Sequence, residues 1–195
     1  MDQTRPTHAM ASYPPFWRVL HWATAAAIAA MLPVGLWMAA RGAADLWDDL
    51  TNALYAWHKA IGFCVLLATA LRLAIKLRRG VPPYPAGLSE VRRRLAVGLN
   101  HCFYLLLLAV PLMGWAGVTA YPALTTIGGL ELPAMPLVPQ DDALAARLFA
   151  IHGALAITLA ALAIGHVAIA LRHRFVDRDG VFERMWPRRG DGSRG

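Results

Sequence analysis

The segment from Leu148 to Phe175, LFAIHGALAITLAALAIGHVAIALRHRF, is almost continuously apolar yet carries histidines at 152, 166 and 173. A run of this length crosses the ~30 Å hydrocarbon layer as a helix, because ~20 residues suffice. His152 and His166 are 14 residues apart. On a helix that is about four turns, which leaves them within ~40° of one face and ~21 Å apart along the axis. One imidazole near each bilayer surface on a shared face is what two stacked haems require, each completed by a histidine from a neighbouring helix.

The rest of the chain suits that reading. Of its 195 residues, 57% are hydrophobic and 16% charged, a membrane composition that leaves room for one compact bundle and no second domain. Four apolar segments are each long enough to span: about 17–38, 55–77, 95–118 and 148–171, followed by a basic tail over 172–195. The expected fold is therefore an all-α integral membrane four-helix bundle with up-down topology, a single domain over 1–195. Cys64 and Cys102 sit in apolar segments outside any CxxC or CxxCH context, which argues against a disulfide framework, a zinc knuckle or covalent haem attachment. The N-terminal stretch MDQTRPTHAMASYPPFWR lacks a short apolar core with a small-residue cleavage site, so no removable signal peptide is expected.

The net charge of +7 is read loop by loop and implies no nucleic-acid partner. The first connection carries Asp45, Asp48 and Asp49 against Arg41; the long third one, rich in Pro and Gly, carries Glu131, Asp141 and Asp142 against Arg147. The middle connection has six basic residues against Glu90, and the tail has seven arginines. With four spans, both termini and the middle connection share a side that collects 16 of the 19 Lys and Arg, so that side is expected to be cytoplasmic. Tryptophans 37, 57 and 115 fall near the outer interface and 17 and 186 near the inner one, as an aromatic belt requires.

This topology supplies the partner histidines. His21 lies about one turn inside the inner end of helix one, at the depth of His166; His58 lies about one turn inside the outer end of helix two, at the depth of His152. The expected pairs are His21 with His166 and His58 with His152, as axial ligands of haem iron. A lone histidine is more often a satisfied core or interfacial residue, but four at two matched depths in hydrocarbon point to function. Gly62, Gly153, Ala156 and Gly165 beside these positions would admit a porphyrin, or simply pack helices closely. Arg72, 14 residues after His58, is placed to meet the propionates of the inner haem, or else snorkels to the interface. His101 is a rival to His21 as inner ligand, or a quinone contact. His173 could meet propionates or substrate at the surface, and Lys59 could attract an anion at the outer one; each also reads as an ordinary interfacial side chain. Anionic lipid accounts for the basic loops.

The sequence at RVLHW (18–22), WHKAIGFCVLLATALRLAIKLRR (57–79), LNHCFYLLLLAVPLMGW (99–115) and IHGALAITLAALAIGHVAIALRHRFVDRDGVFERMWP (151–187) resembles the bacterial cytochrome b561 family, itself similar to the cytochrome b subunits of nickel-iron hydrogenases. The last block is the most specific. The resemblance implies two b haems on His21, His58, His152 and His166, and electron exchange with quinone; at least one type in the family looks like a superoxide oxidase that reduces ubiquinone. Arg174 departs from the pattern, where many relatives carry a second histidine after the position of His173.

The leading expectation is thus a diheme b-type cytochrome of the bacterial inner membrane, passing electrons to or from the quinone pool. The donor would be superoxide or a redox protein, with ubiquinone as acceptor. A cytochrome b relay subunit for a hydrogenase-like or periplasmic redox partner is the alternative. A histidine-based transmembrane metal transporter is a reading of another class. It predicts carboxylates beside the histidines, yet all twelve Asp and Glu fall outside the four apolar segments.

Overall fold

The structure is a computed structural model and describes residues 13–80 and 89–186. The start of the N-terminal stretch, the Pro-rich part of the middle connection and Arg188, Arg189 and Arg194 of the tail lie outside the described residues. Four long helices account for the fold: α1 (Pro15–Ala43), α2 (Asp49–Arg79), α3 (Glu90–Ala120) and α4 (Asp142–Arg172). Each is apolar and long enough to cross a membrane, and together they form an all-α transmembrane four-helix bundle.

The helices overrun their apolar cores because polar residues cap them beyond the hydrocarbon. Asp48 accepts a hydrogen bond from the Thr51 amide, Ser89 from Arg92 and Asp141 from Leu144, which satisfies donors that helix starts leave open. Accordingly α2 begins at Asp49 rather than Tyr55, α3 at Glu90 rather than Leu95, and α4 at Asp142 rather than Leu148. Pro33 and Pro111 lie inside α1 and α3. Each removes one backbone donor from its helix.

The packing is that of a protein whose solvent is lipid. Leu106 and Leu107 of α3 and Leu159 of α4 form a buried core, with Ile28, Phe103, Val110, Leu155 and Leu162 around it. Large apolar side chains such as Leu105, 68% exposed, and Ile164, 72% exposed, face outward. That outward surface needs a hydrocarbon environment. α4 packs along α3, α3 on α2 and α2 on α1, whereas α4 makes no comparable approach to α1 or α2. The bundle is therefore open along one seam.

The two ends are built differently. At the far end, the α3–α4 connection folds back onto the helices: Asp141 N donates to Ala120 O, Met135 N to Thr119 Oγ1, and Trp115 Nε1 to Pro133 O. Its short 3-10 turn, Ile127–Gly129, uses glycines at φ 68° and 77°, a left-handed backbone few other residues adopt freely. At the basic end, α4 runs on into a π turn, His173–Asp177, and the chain returns beneath α1. There Trp22 Nε1 donates to Met185 O, Arg18 to Trp186 O and Tyr13 N to Arg184 O. The stretch expected to be a plain basic tail is thus anchored over residues 182–186.

The α1–α2 turn is held by one polar network. Thr51, fully buried, donates through its amide and hydroxyl to Asp48, and Arg41 donates to both Thr51 Oγ1 and Asp48. The Thr51 amide and the Arg41 guanidinium lower the Asp48 carboxyl from 3.8 to about 2. A depressed carboxylate contributes stability that is complete above its ordinary pKa and is lost as the pH falls toward the folded value. Thermal unfolding in detergent is expected to weaken more steeply between pH 4 and pH 2 for the native chain than for Asp48→Asn; equal slopes would remove Asp48 from the network's pH dependence.

Candidate haem-binding site

Along the open seam the helices bring histidines together in two pairs. The rings of His58 on α2 and His152 on α4 have centres 6.0 Å apart at the far end; those of His21 on α1 and His166 on α4 are 6.3 Å apart at the basic end. The ring planes cross at 77° and 73°, so neither pair is stacked. Two imidazoles binding one metal from opposite sides, with bonds of ~2.0 Å and ring centres ~1.1 Å behind the nitrogens, have centres ~6.2 Å apart. The observed spacings fit that requirement.

The surroundings prepare these rings for ligation. His152 Nδ1 lies 2.8 Å from Val110 O, and a carbonyl only accepts, so Nδ1 carries the proton and Nε2 keeps its lone pair for a metal. The acceptor sits one residue before Pro111. His58 Nδ1 is buried with no hydrogen-bond partner. Glycines on the flanking helices make room for both far-end rings: a Cβ on Gly35 would lie 3.1 Å from His58 Cε1, and one on Gly114 would lie 3.1 Å from His152 Nδ1. His166 is exposed despite its proximity to His21, because α4 stands away from α1. The edge of Phe103 on α3 meets His166 at 5.3 Å between centres.

A cationic group accompanies the basic-end pair. Arg72 on α2 is within electrostatic reach of both His21 and His166. Its guanidinium lies 5.9 Å from the centre of the Tyr104 ring, and Lys76 Nζ lies 4.5 Å from the same ring. Arg72 Nε is buried and has no hydrogen-bond partner. Among the described residues no carboxylate forms an ion pair with Arg72 or Lys76, whereas Arg41, Arg93, Arg94, Arg172 and Arg174 all have one. Partly buried, unpaired cations favour an anionic ligand.

These features together fit a metal-centred group bound by two imidazoles and, at the basic end, carrying an acidic side arm, as haem does. A family profile for prokaryotic cytochrome b561 matches residues 12–188. The chain belongs to that family. It is also 30% identical over 167 residues to cytochrome b561 homolog 2 of Escherichia coli (strain K12), covering 85% of this chain and 86% of that one. The protein is accordingly a multi-pass b-type membrane cytochrome of electron transfer, and proteins of its family bind haem b.

Other sequence candidates fall elsewhere. His101 is exposed, its Nδ1 bonded to Val97 O one turn back on α3. It lies two residues from Phe103, ~200° around the helix, so it is turned away from the face that meets His166. His173 lies at the start of the tail, where its Nδ1 donates to Asp179 at 2.7 Å. The ligand atoms of His173, Asp177 and Asp179 lie within 4.8 Å of one another, but Asp177 already faces Arg172 and the cluster is largely open to solvent. Lys59 donates to Ala123 O at 2.8 Å and so pins the α3–α4 connection over α2. Gly153 and Gly165 border open space and Gly62 meets only the end of Met31. The glycines that touch imidazoles, Gly35 and Gly114, were not among the sequence candidates. Their one signal was position, two or three residues after an intrahelical proline.

The Gly114 contact is testable. Gly114→Val places methyl groups against the His152 ring, an overpacking worth ~1–3 kcal/mol. It is expected to reduce haem per polypeptide in a pyridine haemochrome assay, with Gly153→Ala at native content. Native haem content in Gly114→Val would show that the ring does not need that glycine.

Proposed function

We propose that the protein carries two b haems, one on His58 and His152 and the other on His21 and His166, and passes electrons through them to or from quinone across the bacterial inner membrane. The observation that carries this reading is the pair of imidazole couples at matched spacing, both drawing on α4. When bound, the haems supply one-electron redox chemistry in hydrocarbon. The chain's part is to hold four imidazoles, fix the His152 tautomer through Val110 O, and exclude water with the apolar helices. Held by two histidines, each haem iron would have no open position, which would suit electron transfer rather than oxygen activation.

The basic end is the cytoplasmic side by the positive-inside rule. We assign the quinone to that end for two reasons: the seam is open beside His166, and Arg72 and Lys76 lack acidic partners among the described residues. His173, half-buried at the start of the tail, is then a contact for quinone or for haem side arms and not a ligand, whereas His101 faces away from the seam and is assigned no contact. At the far end the donor is a small one-electron reductant such as superoxide, or a redox protein. With superoxide, two molecules are oxidised to oxygen and one ubiquinone takes two electrons and two protons to become ubiquinol.

Purified full-length protein is expected to contain two b haems per chain with low-spin reduced spectra. Either His58→Ala or His152→Ala should bring this to about one, and superoxide should reduce a soluble ubiquinone analogue only when both haems are present. Retention of both haems in the two alanine variants would refute the pairing. Full haem with no quinone reduction by superoxide would instead direct the search to a protein donor.

A further inference from the structure

We propose that Thr69 and Arg72 of α2 form a carboxylate-binding pair that holds a propionate of the basic-end haem and sets its reduction potential. The proposal rests on the two-haem reading above. A threonine in a membrane helix ordinarily satisfies its hydroxyl on the carbonyl four residues back. Thr24 does so on Leu20 at 2.7 Å, Thr119 on Trp115 at 2.9 Å and Thr158 on Ala154 at 2.9 Å. Thr69 is only 2% exposed, and its Oγ1 has no partner. Three residues on, the buried Nε of Arg72 has none either. Two donors one turn apart on one helix thus lack an acceptor in the same place.

The helix geometry shows where they point. Thr69 is 11 residues after His58, within ~20° of its direction, and Arg72 is 14 after it, within ~40°. All three share the face that carries His58 to His152. α2 and α4 run the same way through the bundle, and Arg72 follows His58 by the same 14 residues that separate His166 from His152. Arg72 therefore lies level with His166, and Thr69 one turn nearer the bundle's middle. The apolar segments contain no Asp or Glu, so a carboxylate at this depth must come from a bound group. An O–H from Thr69 and N–H groups from Arg72 both satisfy such an anion. By drawing off its negative charge they favour the reduced iron nearby and raise its potential.

Thr69 acts through the propionate and is a positioning residue. The test is a spectroscopic redox titration of the full chain in detergent, comparing native protein with Thr69→Val, Thr69→Ser and Arg72→Gln. Thr69→Val and Arg72→Gln should each lower one of two midpoint potentials and leave the other in place, with Thr69→Ser close to native. In the double variant the shift should fall short of the sum, since both donors serve one carboxylate. Titration in a His152→Ala background, which keeps the basic-end haem, should show the same shift and so assign it. If Thr69→Val does not retain haem, Thr69→Ala is read in its place. Two haems with unmoved potentials in the Thr69 and Arg72 variants would overturn this proposal alone. Fewer than two haems in the native protein would overturn the reading on which it stands.

Discussion

A polar group left without a partner in hydrocarbon costs far more than the same group in water, and the fold follows from meeting that demand. The backbone meets it by forming four uninterrupted spans. Thr24, Thr119 and Thr158 meet it on their own helices, and Thr51, Arg41 and Asp48 meet it in one network at a turn. Among the described residues the buried side-chain atoms still without partners are few: His58 Nδ1, Thr69 Oγ1, Arg72 Nε, and Arg18 Nε beside the tail. Three of the four share one face of α2. That face carries His58 toward His152, where the proposed haem ligands meet.

The two ends of the seam differ in how firmly they are closed. At the far end, the α3–α4 connection is tied down at Ala120, Thr119, Trp115 and Lys59, and glycines seat both imidazoles. α4 makes no close backbone approach to α1 or α2, and at the basic end His166 is exposed, whereas His58 and His152 at the far end are half-buried. A closed far end suits a small reactant or a docking protein that exchanges electrons without entering the bundle. An open basic end suits a lipid-dissolved molecule that must come close to the redox centre. The asymmetry lies in the packing, and either direction of electron flow is compatible with it.

Much of the fold was legible because it depends on one-dimensional quantities. Span number follows from runs of apolar residues, and the 14-residue interval between His152 and His166 gives face and depth from helical rise alone. What stayed hidden depends on a neighbour. The α2, α3 and α4 boundaries are set by single capping residues, Asp48, Ser89 and Asp141, beyond the hydrophobic signal. The direction of His101 became clear only once Phe103 was seen against His166, and the seats at Gly35 and Gly114 belong to helices that carry neither far-end histidine. Lys59, which reads from sequence as a free cation, is occupied by the Ala123 carbonyl. A helix makes room for an imidazole on its neighbour, so the seats of these rings could not be read from the residues beside the histidines themselves.

The tail shows how a segment explained by topology acquires a structural task. Its arginines carry the charge on which the proposed orientation rests, but its apolar residues determine how it sits. Trp186 meets Trp22 edge-on, with ring centres 5.6 Å apart, and Phe182 packs on Trp186 at 5.1 Å. Trp22 in turn donates to Met185 O and lies against His21, its chain neighbour, at 5.5 Å. The tail therefore grips α1 on the turn that carries His21, while its other end is continuous with the helix that carries His166. Because α1 and α4 pack so little on each other, this return of the chain is a covalent and hydrogen-bonded strap between the two helices of the basic-end pair. It limits how far the imidazoles can separate while leaving the seam between them open.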